Sequence, residues 1–123
     1  MPSAVGPYSP VARAGQWLIC SGQLGTAGGS FVDGGLGAQV TQAISNIASL
    51  LESEGSGLGD VVKTTVFLAD GEGFAVMNDA YVAAFGDKKP ARSALAVTAL
   101  PLGALVEIEA WALATTPASS SNA

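Results

Sequence analysis

Residues 61–97, VVKTTVFLADGEGFAVMNDAYVAAFGDKKPARSALAV, change period twice, and those changes decide the architecture. Val61 to Ala69 is dense in β-branched residues, the composition of a strand. Asp70 is a helix-capping residue type, and after it Phe74, Met77, Tyr81 and Phe85 fall at helical spacing, which predicts one buried stripe. Gly86 suits the end of that helix, and Pro90 stops any continuation. Arg92 to Val97 reads as a second strand, so the stretch as a whole is a β-α-β unit.

Upstream, Leu36, Val40, Ala43, Ile44, Ile47 and Leu51 repeat at helical spacing, with Gln39, Gln42 and Ser45 on other faces. Glu52 and Glu54 close the pattern, and Gly55 suits its end. Before this helix, Pro10 to Arg13 and Trp17 to Ser21 read as a hairpin around Ala14 and Gly15. Gly25 to Gly35 is a glycine-rich connection in which Phe31 and Val32 form a short candidate strand. Downstream, Leu105 to Leu113 is a last strand, joined through LPLG (100–103). The order predicts an α+β sandwich, with two helices on one face of a six-stranded mixed sheet.

Two helices cover one face of such a sheet. Yet Trp17 and Ile19 alternate with Leu18 and Cys20, and Val62, Val66 and Leu68 alternate with Val61 and Phe67, so both faces carry apolar groups. The face without helices is expected to meet another copy of the chain, which predicts a homo-oligomer. Composition agrees. Charged residues are 12% of the 123, about half the usual share of roughly 25%, and apolar residues other than glycine are 49%. That length is one domain, taken as residues 1–114, and the small polar tail, 115–123, is expected to be disordered.

Several function classes are excluded by what is missing. The chain has no histidine and a single cysteine, Cys20, which rules out Ser-His-Asp and Cys-His catalysis and a zinc site of the usual ligands within one chain. A net charge of −5 argues against a nucleic-acid partner, because phosphate binding needs clustered Lys and Arg. GTAGGS (25–30) lacks the GK[ST] pattern of a phosphate loop. The longest uncharged stretches hold too many Gly, Ser, Thr and Gln for a membrane-spanning helix. The N-terminal segment has no basic run followed by an apolar one, so the expected location is cytoplasmic.

Against this background Arg92 stands out, as one of two arginines, in the tetrapeptide PARS (90–93). It shares a strand face with Ala94 and Ala96, which leave room for a ligand beside a guanidinium. Arginine's planar fork of donors suits bidentate capture of a small carboxylate. An ion pair with Glu107 or Glu109 fits the same residue equally well. Those two glutamates alternate with Val106, Ile108 and Ala110 and so share a face. One of them can be a general acid or base near a bound anion, or both can lie at a solvated edge or in a salt bridge between copies. Periodicity does not choose between them. Tyr8 lies in a segment stiffened by Pro7 and Pro10, Ser21 and Gly22 end a strand, and Asn46 and Asn78 on the helices can satisfy backbone groups.

Taken in order, GPYSP (6–10), SGQ (21–23), QAISNIASLLESEG (42–55), DVVKTTVFLAD (60–70), MNDAYVAAF (77–85), PARS (90–93), LP (100–101) and VEIEAWA (106–112) resemble the RidA/YjgF family of enamine/imine deaminases. The resemblance implies a chorismate-mutase-like fold, a homotrimer and clefts between neighbouring copies. It further implies that Arg92 holds the substrate carboxylate, that backbone groups at Gly22 and Ala94 fix the substrate, and that Tyr8, Ser21 and Asn78 line the cleft. Glu107 then matches the acid that activates water. The implied reaction converts a 2-imino acid into a 2-oxo acid and ammonia, with neither metal nor cofactor. A non-catalytic binder of small keto or amino acids, and the endoribonuclease activity attributed to some relatives, are the other functions such a chain could have. Departures from the family pattern are Pro10, a short segment between Phe85 and PARS, an apolar LPLGALVEIE, and Ala94 where some relatives have cysteine.

Overall fold

The computed structural model describes residues 6–115; of the expected disordered tail, 115–123, all but Thr115 lies outside them. The chain runs β1 (Val11–Ala14), β2 (Trp17–Leu24), β3 (Thr26–Ala27), β4 (Ser30–Phe31), α1 (Gly35–Ser53), β5 (Val61–Leu68), α2 (Phe74–Phe85), β6 (Ala91–Ala96) and β7 (Val106–Leu113). The fold is α+β, as expected, but its strands divide differently. Five form one sheet in the order β1-β2-β7-β5-β6, and β3 pairs with β4 in a separate two-stranded ribbon. The expected six-stranded sheet is therefore corrected to five plus two. Gly28 and Gly29, both at positive φ, turn that ribbon back on itself before it can reach the main sheet.

In the main sheet β5 and β6 are parallel, while β1-β2, β2-β7 and β7-β5 are antiparallel. The local signals explain the helices that connect them. Helix α1 ends where Gly55 takes φ 77. The Ser56 amide then donates to the Leu51 carbonyl and the Gly55 amide to that of Glu52, which closes the last turn. Asp70 caps one turn earlier than its position suggested. Its carboxylate accepts from the Glu72 amide at 2.9 Å and starts a 3-10 turn, Gly71–Gly73, that leads into α2. At the other end Gly86, at φ 64, donates to the Val82 carbonyl.

Both helices lie on one face of the sheet. Val40, Ile44, Ile47 and Leu51 of α1 pack with Leu18, Cys20, Ile108 and Ala110, and Met77 and Tyr81 of α2 complete the same core. The other face is uncovered among the described residues and carries Trp17 and Trp111, whose rings meet edge to face at 5.9 Å, together with Leu95 and Leu113. Val62 was expected beside Val66 and Leu68, but a register shift between Val61 and Lys63 leaves it exposed.

Two buried amides tie the loops to α1. Gln39, expected on an outer face, is 7% exposed and accepts from the Leu105 amide at 3.0 Å. Gly25 is pressed against the same residue, and a Cβ there would lie 2.5 Å from the Gln39 Cα. Asn46 does satisfy backbone groups, donating to the Leu24 and Thr26 carbonyls at 3.0 Å each. Asn46→Ala strands both carbonyls and should lower the unfolding free energy by about 1–3 kcal/mol in urea titrations at fixed protein concentration. A variant that unfolds with the wild-type midpoint would contradict this role.

Candidate functional site

Strand β7 is the middle of the sheet, and its alternation sorts the acids from the core. Val106, Ile108, Ala110 and Ala112 are buried under the helices, which leaves Glu107, Glu109, Trp111 and Leu113 on the uncovered face. Beside Glu107, strand β2 carries a bulge between Cys20 and Gln23 that takes Ser21 and Gly22 out of the ladder. Gly22 then lies directly against the acid. A Cβ at Gly22 would fall 2.7 Å from the Glu107 Cδ and closer still to Oε2, so only glycine fits while the carboxylate stays where it is.

The bulge also holds the N-terminal segment. Ser21 donates from its amide to the Pro10 carbonyl at 2.8 Å and from its hydroxyl to the Ser9 carbonyl at 2.7 Å. Tyr8, one residue earlier, is thereby held near this end of the sheet with its side chain 47% exposed. Ser21 thus acts through the backbone it ties down. Partial burial, with the neighbouring Glu109 charge adding to it, raises the Glu107 carboxyl above its ordinary range. An acid so perturbed accepts a proton more readily near neutrality than an exposed one.

Arg92 is elsewhere. The register Thr64↔Arg92, Val66↔Ala94 and Leu68↔Ala96 puts Arg92 on the helix-covered side, so within one chain Arg92 and Glu107 lie on opposite faces. Within one chain the alternative ion pair between Arg92 and Glu107 or Glu109 is thereby overturned. Instead Nη1 of Arg92 donates to the Asn78 Oδ1 at 2.8 Å and approaches the Met77 sulfur at 3.6 Å. Among the described residues Nε and Nη2 make no hydrogen bond, so one two-pronged edge of the guanidinium is open to a carboxylate. Asn78 holds the arginine rather than any backbone group.

Ala94 adds a backbone element to this half. Val97 donates to the Leu68 carbonyl, and the two-residue repeat of a parallel ladder turns the odd positions of β6 toward β5. The amide and carbonyl of Ala94 therefore face the outer edge, which no strand pairs among the described residues because β6 ends the sheet. Next to Arg92 is a groove of about 320 Å³, walled by Tyr81, Val82 and Phe85 and flanked by Lys88 and Lys89. The spacing of Tyr81 alone marks it as core. Its ring in fact carries the guanidinium, with Cζ 5.0 Å from the ring centroid. Its place three residues after Asn78 on the same helix was the available signal.

The described residues thus form two half-sites: Tyr8, Ser21, Gly22 and Glu107 on one, Asn78, Tyr81, Arg92 and Ala94 on the other. The family model described as Endoribonuclease L-PSP matches residues 1–114. The chain belongs to this family, which includes the RidA/YjgF proteins. A relative named 2-iminobutanoate/2-iminopropanoate deaminase, from Bos taurus, is 44% identical over 114 residues, covering 91% of this chain and 83% of its own. A RutC family protein of Pyrococcus horikoshii is 43% identical over 113 residues, 90% of each chain. Among solved structures, RidA from the Antarctic bacterium Psychrobacter sp. superposes with a TM-score of 0.86 at 41% identity, covering 91% of this chain and 92% of that one.

The raised Glu107 carboxyl has a consequence for this RidA/YjgF chain that needs no substrate. A folded-state value above the unfolded one means that the unfolded chain releases this proton first. Stability is therefore lost as pH rises from the unfolded value through the raised folded one. Glu107→Gln removes that loss. Its thermal midpoint relative to wild type should rise from acid toward pH 7 at matched concentration and assembly state, and a difference independent of pH would refute the assignment.

Proposed function

We propose that this chain is a deaminase of small 2-imino acids, such as 2-iminopropanoate and 2-iminobutanoate, whose cleft forms between neighbouring copies. One observation carries the reading. The open carboxylate-binding edge of Arg92 and the proton-accepting Glu107 lie on opposite faces of one sheet, so a second copy is needed to bring them to one ligand. The uncovered face with its two tryptophans is the surface on which copies would pack, and the family suggests a trimer. The names of the deaminase relatives support the substrate class.

In this cleft Arg92 holds the substrate carboxylate through Nε and Nη2. Edge groups of Ala94 and the backbone at Gly22 position the imine, and Tyr8 closes one side. Glu107 takes a proton from water as its oxygen bonds to the C=N carbon. The resulting carbinolamine, protonated on nitrogen with help from Glu107, expels ammonia and leaves the 2-oxo acid. The imine is already electrophilic, so the protein supplies orientation and proton transfer.

The test generates the imine with a threonine dehydratase and follows its loss. Arg92→Ala and Glu107→Gln should each abolish most of the acceleration, the first by losing 2-oxobutanoate binding and the second while keeping it. Mixed after subunit exchange, the two variants should regain activity, because random assortment restores about one quarter of clefts that join an intact Arg92 to an intact Glu107. No acceleration by the folded wild type, with 2-oxobutanoate still bound, would leave a non-catalytic binder. Failure of the mixture to recover would sink the shared cleft.

A further inference from the structure

The Arg92 guanidinium is held by more than its role as an anchor requires. Besides Asn78 and Met77, it lies on the face of Tyr81, and Tyr81 is itself fixed from two directions. Its hydroxyl is 2.7 Å from the Thr64 Oγ1, and Thr64 is wholly buried on β5. Its ring lies 4.7 Å from that of Phe85, one turn along α2. Thr64 is also the register partner of Arg92, so the phenol lies across the strand position beside the arginine. The ring cannot slide without leaving two buried hydroxyls unpaired, and the neighbouring Phe85 ring restrains its turning.

We propose that Tyr81, pinned by Thr64, is the positioning residue that sets the plane of the Arg92 guanidinium and so aims its Nε and Nη2 edge at the substrate carboxylate. This rests on Arg92 being the carboxylate anchor. An arginine on an exposed edge strand has several rotatable bonds, and freezing them at each binding event weakens capture. A cation resting on an aromatic face is attracted by the ring's quadrupole, and Asn78 fixes its rotation within that plane. Thr64, Tyr81 and Asn78 together make the fork ready before the ligand arrives. Tyr81 touches no reacting atom.

The test compares binding of 2-oxobutanoate with that of its neutral methyl ester, alongside steady-state kinetics. Tyr81→Leu should weaken the acid by roughly 3- to 30-fold, through KM rather than kcat, and leave the ester unchanged. Tyr81→Phe keeps the ring but loses its Thr64 pin, and should show a smaller loss on the acid than Tyr81→Leu, about 2- to 3-fold. Equal loss of acid and ester, or no loss of either, would overturn the proposal.

Arg92→Met separates this idea from the one beneath it. If Arg92→Met binds the acid poorly while Tyr81→Leu binds it normally, the platform alone falls; if Arg92→Met binds the acid normally, both fall. On the Arg92→Met background, Tyr81→Leu should add nothing. Should Tyr81→Leu fail to fold, the wild type still decides. With two arginines in the chain, the side-chain Nε–Hε spectrum has two signals, and that of Arg92 should be shifted upfield by the Tyr81 ring current and stay so in Tyr81→Phe. An unshifted Arg92 signal would overturn the proposal.

Discussion

The alternation of β7 is the constraint from which the rest of the molecule follows. As the middle strand it is paired on both sides, so its register cannot slip without moving every side chain to the wrong face. Val106, Ile108, Ala110 and Ala112 commit one side to the helices and the core. The intervening positions are then bound to the other side, whatever their chemistry. Two carboxylates and a tryptophan therefore lie on a face that no helix covers among the described residues, and partial burial there raises the Glu107 carboxyl.

Arg92 obeys the same rule with the opposite result. Its strand is the last of the sheet, and its even positions fall under α2, where Asn78, Met77 and Tyr81 are waiting. An edge strand ordinarily exposes unpaired backbone groups as a liability. Here those groups lie next to the guanidinium and can serve a ligand. Arg92 and Glu107 are each well supported, but by different layers, and the separation is as much a product of the pleat as the core is.

Much of this was legible in the chain because the punctuation is local. Gly55, Asp70, Gly86 and Pro90 mark boundaries by their own conformational limits, and both helices and all five main strands lie within a few residues of where those marks put them. The faces of Arg92 and of the two glutamates could also be read, since a strand's period is fixed. What period cannot convey is how strands pair. Val62 turned outward because a bulge intervened, and Gln39 is buried because a glycine loop and the Leu105 amide come down on it from distant sequence. The opposition of Arg92 and Glu107 was invisible for the same reason. Strand order decides it, and strand order is not written in any one strand. Tyr81 is illegible for another reason: a residue can fill the core with one side of its ring and carry a cation on the other.

The contact between Gly22 and Glu107 also gives a rule for sorting sequences. Within this fold the acid and a side chain at the bulge compete for one volume, so the two positions behave as a single letter pair. A chain that keeps the glutamate but places anything larger than glycine opposite it must have moved either its carboxylate or its bulge. Such a chain can share every other motif and still place its acid differently, a divergence that overall identity would not register.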